Sequence, residues 1–501
     1  MTRVNLASII EGHPDDAVAI VSRGKPTSYG ALREQVGALR GGLAGLGIER
    51  GDRVAIVSAN NRFFVVTYLA TLGLGAVAVP LNPASPSAEL ERQLADVGAA
   101  VVVVGPTGRD AVAGVDPSGT ALRTVVTAGA AGGAARLEDL LEADPAPMVD
   151  VAEHDVAVLV FTAGTGGAPK PAVLSHGNLS ANLAQVQAHP GRRVDGGDVL
   201  LGVLPLFHIF GLNVVLGLGL SAGASVVLVE RFDPVASLDT ILRHEVTMVA
   251  GAPPMYAAWT TLPGANPGAF ATVRLATSGA APLSDEIGPA FQARFGVPIH
   301  QGYGLTEASP VVAASPADRP PRPGSIGFPL PGVDVRLVDE EGEDALVGDP
   351  GEIWVQGANV FSGYWQDERA TAHALTPDGW LRTGDVAVAD ADGFLYIVDR
   401  SKDLVIVSGF NVYPAEVEDA LMAHGGVAQV AVVGNPHPHT GETVVAFVVP
   451  AAGRHLEEDE LIEFCAGRLS RYKCPTKVNF VESLPVGVAG KVLRRQLRST
   501  R

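Results

Sequence analysis

Only two cysteines, Cys465 and Cys474, occur in the 501 residues, and their spacing fits no metal-binding pattern. Free thiols in a reducing cytosol are expected, with one disulfide as the alternative. Positive charge is also scarce, with 36 Lys+Arg against 54 Asp+Glu and a formal charge of -18. A surface of that sign repels DNA and anionic membranes. No nucleic-acid partner is expected, and any polyanionic ligand needs a local site built from lysine or backbone amides. The first 16 residues lack a long apolar run and bring in acids early, so no signal peptide is expected and the protein is expected in the cytoplasm. From 199 to 229 there is no Asp, Glu, Lys or Arg, a length that could span a bilayer. Pro205, His208, Asn213 and five glycines interrupt it. A strand (199–204), a loop, a short helix and a second strand (225–229), all buried in an α/β domain and with no transmembrane segment, are expected instead.

Hydrophobic residues make up 47% and charged residues 18%, an ordinary globular balance, and the length exceeds what one core usually holds. Continuous Val/Ile/Ala runs at 54–57, 76–79, 101–104 and 156–161 alternate with helical patterns such as 63–74. That rhythm predicts parallel sheets covered on both faces. It continues at 226–229, 248–250 and 274–277, then stops at a stretch rich in Pro, Gly and Arg over 318–331. Short alternating segments at 333–338 and 352–355 predict antiparallel strands. From about 400, strands at 427–433 and 444–449 mix with helices at 415–424 and 457–470, a compact α+β unit. There is no internal repeat.

The run Phe161-Thr-Ala-Gly-Thr-Gly-Gly-Ala-Pro-Lys-Pro171 follows an apolar strand. Its small residues let backbone N–H groups approach phosphate oxygens, and Lys170 supplies countercharge. The P-loop spacing is absent, and without context the run reads equally well as a surface turn. Gly217-Leu-Gly-Leu-Ser-Ala222 has no strand directly before it, so close packing explains it better than dinucleotide binding. Further along stand Gln301-Gly-Tyr-Gly-Leu-Thr-Glu307, Trp380-Leu-Arg-Thr-Gly-Asp385, Asp399-Arg-Ser-Lys-Asp403 and Gly490-Lys491.

In this order the motifs resemble the acyl-adenylate-forming superfamily: acyl-CoA synthetases, 4-coumarate–CoA ligases, luciferase-like enzymes and adenylation domains, and most of all bacterial fatty-acid–CoA ligases. The resemblance implies an α/β fold. Residues 1–399 would form a large domain of two doubly wound sheets plus a distorted β-barrel, hinged at Lys402 to a small α+β domain of residues 400–501. It implies ATP, Mg2+ and coenzyme A. Thr162, Gly164, Thr165, Gly166, Gly167 and Lys170 would hold the β- and γ-phosphates, and Thr162 and Glu307 the metal. Tyr303 would stack on adenine against a wall that includes Gly279, Ala280 and Ala281. Gln301, Gly302, Gly304 and Thr306 would line the nucleotide, and Asp385 and Arg400 the ribose. Lys491 would bridge the substrate carboxylate and the α-phosphate. Ser408, Gly409 and Phe410 would border the pantetheine arm once the small domain rotates. Lys473 would either help the CoA phosphates or be an exposed structural lysine. The basic tail of Arg494, Arg495, Arg498 and Arg501 is expected to be solvated.

In Pro205-Leu-Phe-His-Ile-Phe-Gly211, His208 would lie between acyl site and nucleotide. Amino-acid-activating relatives carry Asp there, so an amino-acid substrate is disfavoured. Expected pocket walls (Ile209, Phe210, Gly279, Ala280, Ala281, Ala308, Ser309) are small or apolar, suit a fatty or aryl acid, and offer no charged anchor for a dicarboxylate. Alternatives are a ligase that loads a carrier protein's pantetheine arm and a degenerate nucleotide- or acyl-binding regulator; a homodimer is left open. The family loop usually reads Thr-Ser-Gly-Thr-Thr-Gly-x-Pro-Lys-Gly, and here Ala163, Gly166 and Pro171 depart from it. Ile406 stands where plant ligases tend to carry a lysine. Each lost charge-assisted hydroxyl bond is worth about 1.5–3 kcal/mol. Restoring Ala163→Ser with Gly166→Thr is therefore expected to raise ATP–pyrophosphate exchange, and an unchanged rate would refute that account.

Overall fold

A computed structural model of the chain describes residues 5–129, 135–162, 169–281, 283, 286–339, 341–400, 405–451, 453–485 and 494–498. Its first sheet has seven strands, with Arg53–Val57, Val77–Leu81, Val101–Val104 and Thr124–Thr127 pairing in parallel. Because successive side chains point to opposite faces, Val101 and Val103 join one core while Val102 and Val104 join another. Both faces are covered, and this is why the sequence reads as an unbroken apolar run. The helix Arg62–Gly73 is buried nearly all round for the same reason. At one edge Val156–Thr162 and Lys170–Ser175 form an antiparallel hairpin in which Thr162 faces Lys170. Residues 163–168 connect these strands and lie outside the described residues.

The second sheet has nine strands. Met248–Gly251, Leu275–Ser278 and Ile299–Gly304 are parallel, and Val311–Ala314 and Phe328–Pro329 extend the edge antiparallel. Four antiparallel strands follow: Val333–Val338, Gly351–Gly357, Leu381–Ala389 and Leu395–Arg400. A bridge between Gly327 and Leu395 ties them to that edge.

The charge-free stretch divides as the sequence suggests, into Val199–Gly202, a π-helix Phe210–Gly217, a short helix Leu218–Ser221 and Ser225–Leu228. Among the described residues no helix is long and apolar enough to cross a membrane. Gly219 is a packing glycine, since a Cβ there would come within 2.7 Å of Val226. Buried Asn213 fixes the π-helix by donating to the Ser309 carbonyl at 2.8 Å.

Residues from 405 onward build their own core, which includes Val405, Val432, Val444, Leu461 and Cys465 under a five-stranded sheet. Both cysteines are free and buried in it. Lys473 corrects both expectations made for it. It is 4% exposed, and its Nζ donates to Glu89 of the large domain at 2.6 Å and to Glu416 of the small domain at 2.9 Å. Ser470 adds backbone and hydroxyl bonds to Glu89 at 2.9 and 2.8 Å, and its Oγ lies 2.9 Å from that of Ser85. Two carboxylates cancel a buried ammonium better than water-exposed phosphates could, so this lysine serves the domain interface.

Two predictions follow from these buried charges. Lys473→Met leaves two uncompensated carboxylates and should cost about 3–5 kcal/mol in urea unfolding. Adding Glu89→Gln and Glu416→Gln should recover most of the loss, and an unmoved midpoint in the single variant would refute the role. Burial also pushes His176, His189, His208 and His300 down to about 4. The folded state disfavours their charged form. Their contribution is complete above the unfolded value near 6.5 and is lost as pH falls towards 4. The urea midpoint should therefore drop between pH 7.5 and pH 5.

Candidate active site

Ligands of parallel sheets bind beyond the carboxyl ends of the strands, and the cavity here lies there. Its volume is about 350 Å³, and Ser278–Ala281, Gln301–Glu307 and Asp385 are among its walls. Gly279 packs closely on Phe210, since a Cβ there would stand 3.2 Å from the ring and push it by a few tenths of an ångström. Ala280 adopts φ 69°, a left-handed conformation rare for a residue with a Cβ, and such strain concentrates at functional sites. Tyr303 lines the cavity and its hydroxyl donates to Asp385 Oδ2 at 2.7 Å. The Gln301 carboxamide oxygen accepts from the Leu283 amide at 3.2 Å, which fixes its orientation. Asp385 and Arg400 are directly opposite across an antiparallel ladder, so the expected ribose pair is a cross-strand pair.

Glu307 is buried at the cavity wall with Thr162 and Thr306. Tyr364 donates to its Oε1 at 2.7 Å, a bond sequence reading did not find. Beside that carboxylate the Tyr364 phenol is pushed upward by burial and by the Glu307 charge, so it stays a donor. Lys170 is not on the cavity wall; it pairs with Asp367 and holds that carboxyl below the usual range. Gly164, Thr165, Gly166, Gly167, Lys402 and Lys491 lie outside the described residues. Pro171 occupies the strand opposite Phe161, and its carbonyl accepts from the Trp365 amide at 2.8 Å.

A second, narrower cavity of about 90 Å³ runs along the domain interface past Ser85, Glu89, Phe207, Phe410, Tyr472 and Lys473. It meets the first at Thr162, His208, Thr306 and Tyr413, which line both. His208 therefore stands at the junction. The Phe210 amide donates to its Nδ1 at 3.2 Å, which leaves the proton on Nε2. Its ring is reached from the cavity yet surrounded by protein, and that burial keeps it neutral. The hairpin turn of the small domain enters from the other side. Ser408 and Gly409 have φ of 53° and 85°, and a Cβ on Gly409 would come within 2.9 Å of Ala252. Phe410 packs near-parallel to Phe207 at 6.3 Å and against Tyr472 at 4.7 Å.

Ile209, Phe210, Gly279, Ala280 and Ala281 line the cavity as expected, whereas Ala308 and Ser309 do not. The absence of a charged anchor is overturned: Arg192 also lines this cavity. Nothing in Pro190-Gly-Arg-Arg-Val194 marks it in sequence, because an arginine in a polar loop ordinarily points to water.

Residues 6–365 match the AMP-binding enzyme family, and residues 416–491 match the AMP-binding enzyme C-terminal domain. A feruloyl-CoA synthase of Amycolatopsis sp is 38% identical over 483 residues, covering 96% of this chain and 95% of that protein. A long-chain-fatty-acid–CoA ligase of Yersinia pestis is 35% identical, covering 96% and 91%. Among solved structures, the amide bond synthetase McbA from Marinactinospora thermotolerans superposes with a TM-score of 0.89 at 32% identity, covering 99% of each chain. The chain belongs to the AMP-binding enzyme family, and carries its C-terminal domain as well.

Proposed function

We propose that this protein activates a carboxylic acid with ATP, forming an acyl-adenylate and pyrophosphate, and then transfers the acyl group to the thiol of coenzyme A with release of AMP. One observation carries the reading: a nucleotide-sized cavity and an interface channel converge on Thr162, His208 and Thr306. The acyl phosphate and a thiol can therefore approach one point from two sides. The relatives named as CoA ligases support the same acceptor.

In the first half-reaction, a carboxylate oxygen attacks the α-phosphorus and the bond to pyrophosphate breaks. Two anions must meet, so the protein's task is neutralisation and alignment. Tyr303 stacks on adenine while Asp385 and Arg400 take the ribose hydroxyls. Loop 163–168 and Lys170 hold the outer phosphates, for which Lys170 exchanges Asp367 for phosphate oxygens. Glu307, oriented by Tyr364, and Thr162 offer the hard oxygens Mg2+ prefers, and the bound ion would neutralise phosphate charge. Lys491, on the small domain, brings the remaining cation to the carboxylate and α-phosphate. His208 donates its Nε2 proton to a carboxyl oxygen and, being neutral, does not compete with Lys491 for the anion.

In the second half-reaction the small domain, turning about residues 399–402, presents Ser408, Gly409 and Phe410 to the pantetheine arm. The sulfur attacks the acyl carbon and AMP leaves. The present arrangement, with Phe410 at the channel and Lys473 between Glu89 and Glu416, is the one suited to this step.

A screen of pyrophosphate release with acids from C2 to C20 and aryl acids, with and without CoA, tests the activity. At least one acid should give pyrophosphate alone and its CoA ester when CoA is added. Silence across the panel would refute the proposal, and transfer only to a carrier protein would move the acceptor. Lys491→Ala should lower adenylation at least a hundredfold, whereas Phe410→Ala should slow thioester formation while leaving single-turnover adenylation within about threefold. Equal losses in both steps for Phe410→Ala would refute its assignment to the channel.

A further inference from the structure

Arg192 is charged, 8% exposed and placed in the cavity wall beside Val186, Val214, Thr277 and Ala314. Its Nε donates to the Ser315 carbonyl at 2.9 Å and an Nη to the Gln301 carbonyl at 3.5 Å. A guanidinium has five N–H donors, so among the described residues these two bonds leave the other Nη uncommitted. No described carboxylate is within ion-pair range of it. Burial pushes the group down to about 10, which still leaves it protonated at neutral pH. His189, His300 and Tyr256 are its titratable neighbours; both imidazoles are kept neutral by burial and by its charge, and burial pushes the Tyr256 phenol up, so none of them neutralises it. The result is a largely desolvated cation in the cavity wall with no carboxylate partner among the described residues.

Its place along the cavity gives this charge a meaning. Arg192 is absent from the channel where Thr162, His208 and Thr306 meet, and it borders instead a small apolar recess with Leu200, Met248 and Leu275. Its contact at Gln301 is three residues back along the strand from Gly304, roughly 10 Å at the rise of a strand. Arg192 thus lines the main cavity away from the junction at Thr162, His208 and Thr306, where the carboxyl would react. A plain alkyl chain filling that space would cover the guanidinium with methylenes and leave its remaining N–H groups without an acceptor, which is the costly way to bury a charge.

We propose that Arg192 is a specificity-determining residue that holds an oxygen acceptor at the end of the acyl group remote from the reacting carboxyl. The acid so selected is an aryl or short-chain acid with a distal phenolic or carboxylate oxygen. This rests on the ligase reading of the site. Sites built around a hydrogen bond to a substrate oxygen reject analogues lacking it far more strongly than apolar pockets reject one methylene.

The test measures kcat/KM for AMP formation by the full chain, with CoA, on cinnamic acid, its 4-hydroxy and 4-carboxy derivatives, and octanoic acid. At least one oxygen-bearing acid should exceed cinnamic and octanoic acids by about tenfold or more, with the 4-carboxy arm separating an anionic from a neutral partner. In Arg192→Met that advantage should fall to within about twofold, and Arg192→Lys should keep part of it. A wild-type preference for the unsubstituted acids, or a preference that survives Arg192→Met, would overturn the proposal. Should Arg192→Met not fold, the wild-type ratios decide alone. AMP formation without distal preference refutes only this inference, whereas no AMP from any acid refutes the ligase reading beneath it.

Discussion

The buried triad Glu89–Lys473–Glu416 joins two domains whose cores are otherwise separate. Each carboxylate comes from a different domain, so the ammonium bridges both only when the domains are docked. Ser470 satisfies the second Glu89 oxygen through its amide and hydroxyl, and its Oγ pairs in turn with that of Ser85. Docking brings the Ser408–Phe410 turn onto Phe207 and creates the channel that ends at His208. Without this ion cluster the second cavity would lack one wall, and the junction of two reactants would open to solvent. Buried ion pairs add little stability relative to apolar packing but are exacting about geometry. That would suit an interface released between the two steps of the proposed reaction.

The catalytic end and the acyl end of the main cavity are built on different physics. Around Thr162, Glu307 and Asp385 the walls supply hard oxygens and fixed hydrogen bonds, suited to a hard cation and to hydroxyl donors. Around Ile209, Phe210 and Gly279 they are small and apolar. The two meet on one strand, Ile299–Gly304, and its following turn, so the glycines at 302 and 304 serve both ends. Gly304 leaves no room for a side chain, since a Cβ would approach the Pro310 carbonyl to 2.2 Å. Arg192 breaks the apolar character of that wall.

Much of this was legible in the residues. Apolar runs such as Val101–Val104 located strands because a doubly covered sheet requires them, and the antiparallel segments expected at 333–338 and 352–355 showed through alternation and lie in the strands Val333–Val338 and Gly351–Gly357. The cavity residues Tyr303, Thr306, Glu307 and Asp385 were found because their motifs bring glycine, hydroxyl and carboxylate close along the chain. Lys170 was legible as a cation at a loop, but its pairing with Asp367 joins residues far apart in sequence. Tyr364, which orients Glu307, carried no local signal at all.

Local order along the chain therefore determined the family, the alternation of strands and helices, and the chemical character of the phosphate and adenine walls, because each depends on residues a few positions apart. Only the tertiary structure decided what Lys473 and Arg192 do. Both are basic residues in polar segments, where exposure is the default expectation. One is neutralised by glutamates 384 and 57 residues away, and the other is desolvated by strands that close over it with no acid among the described residues. The energy of a charge depends on the dielectric and partners around it, and both are properties of the folded chain.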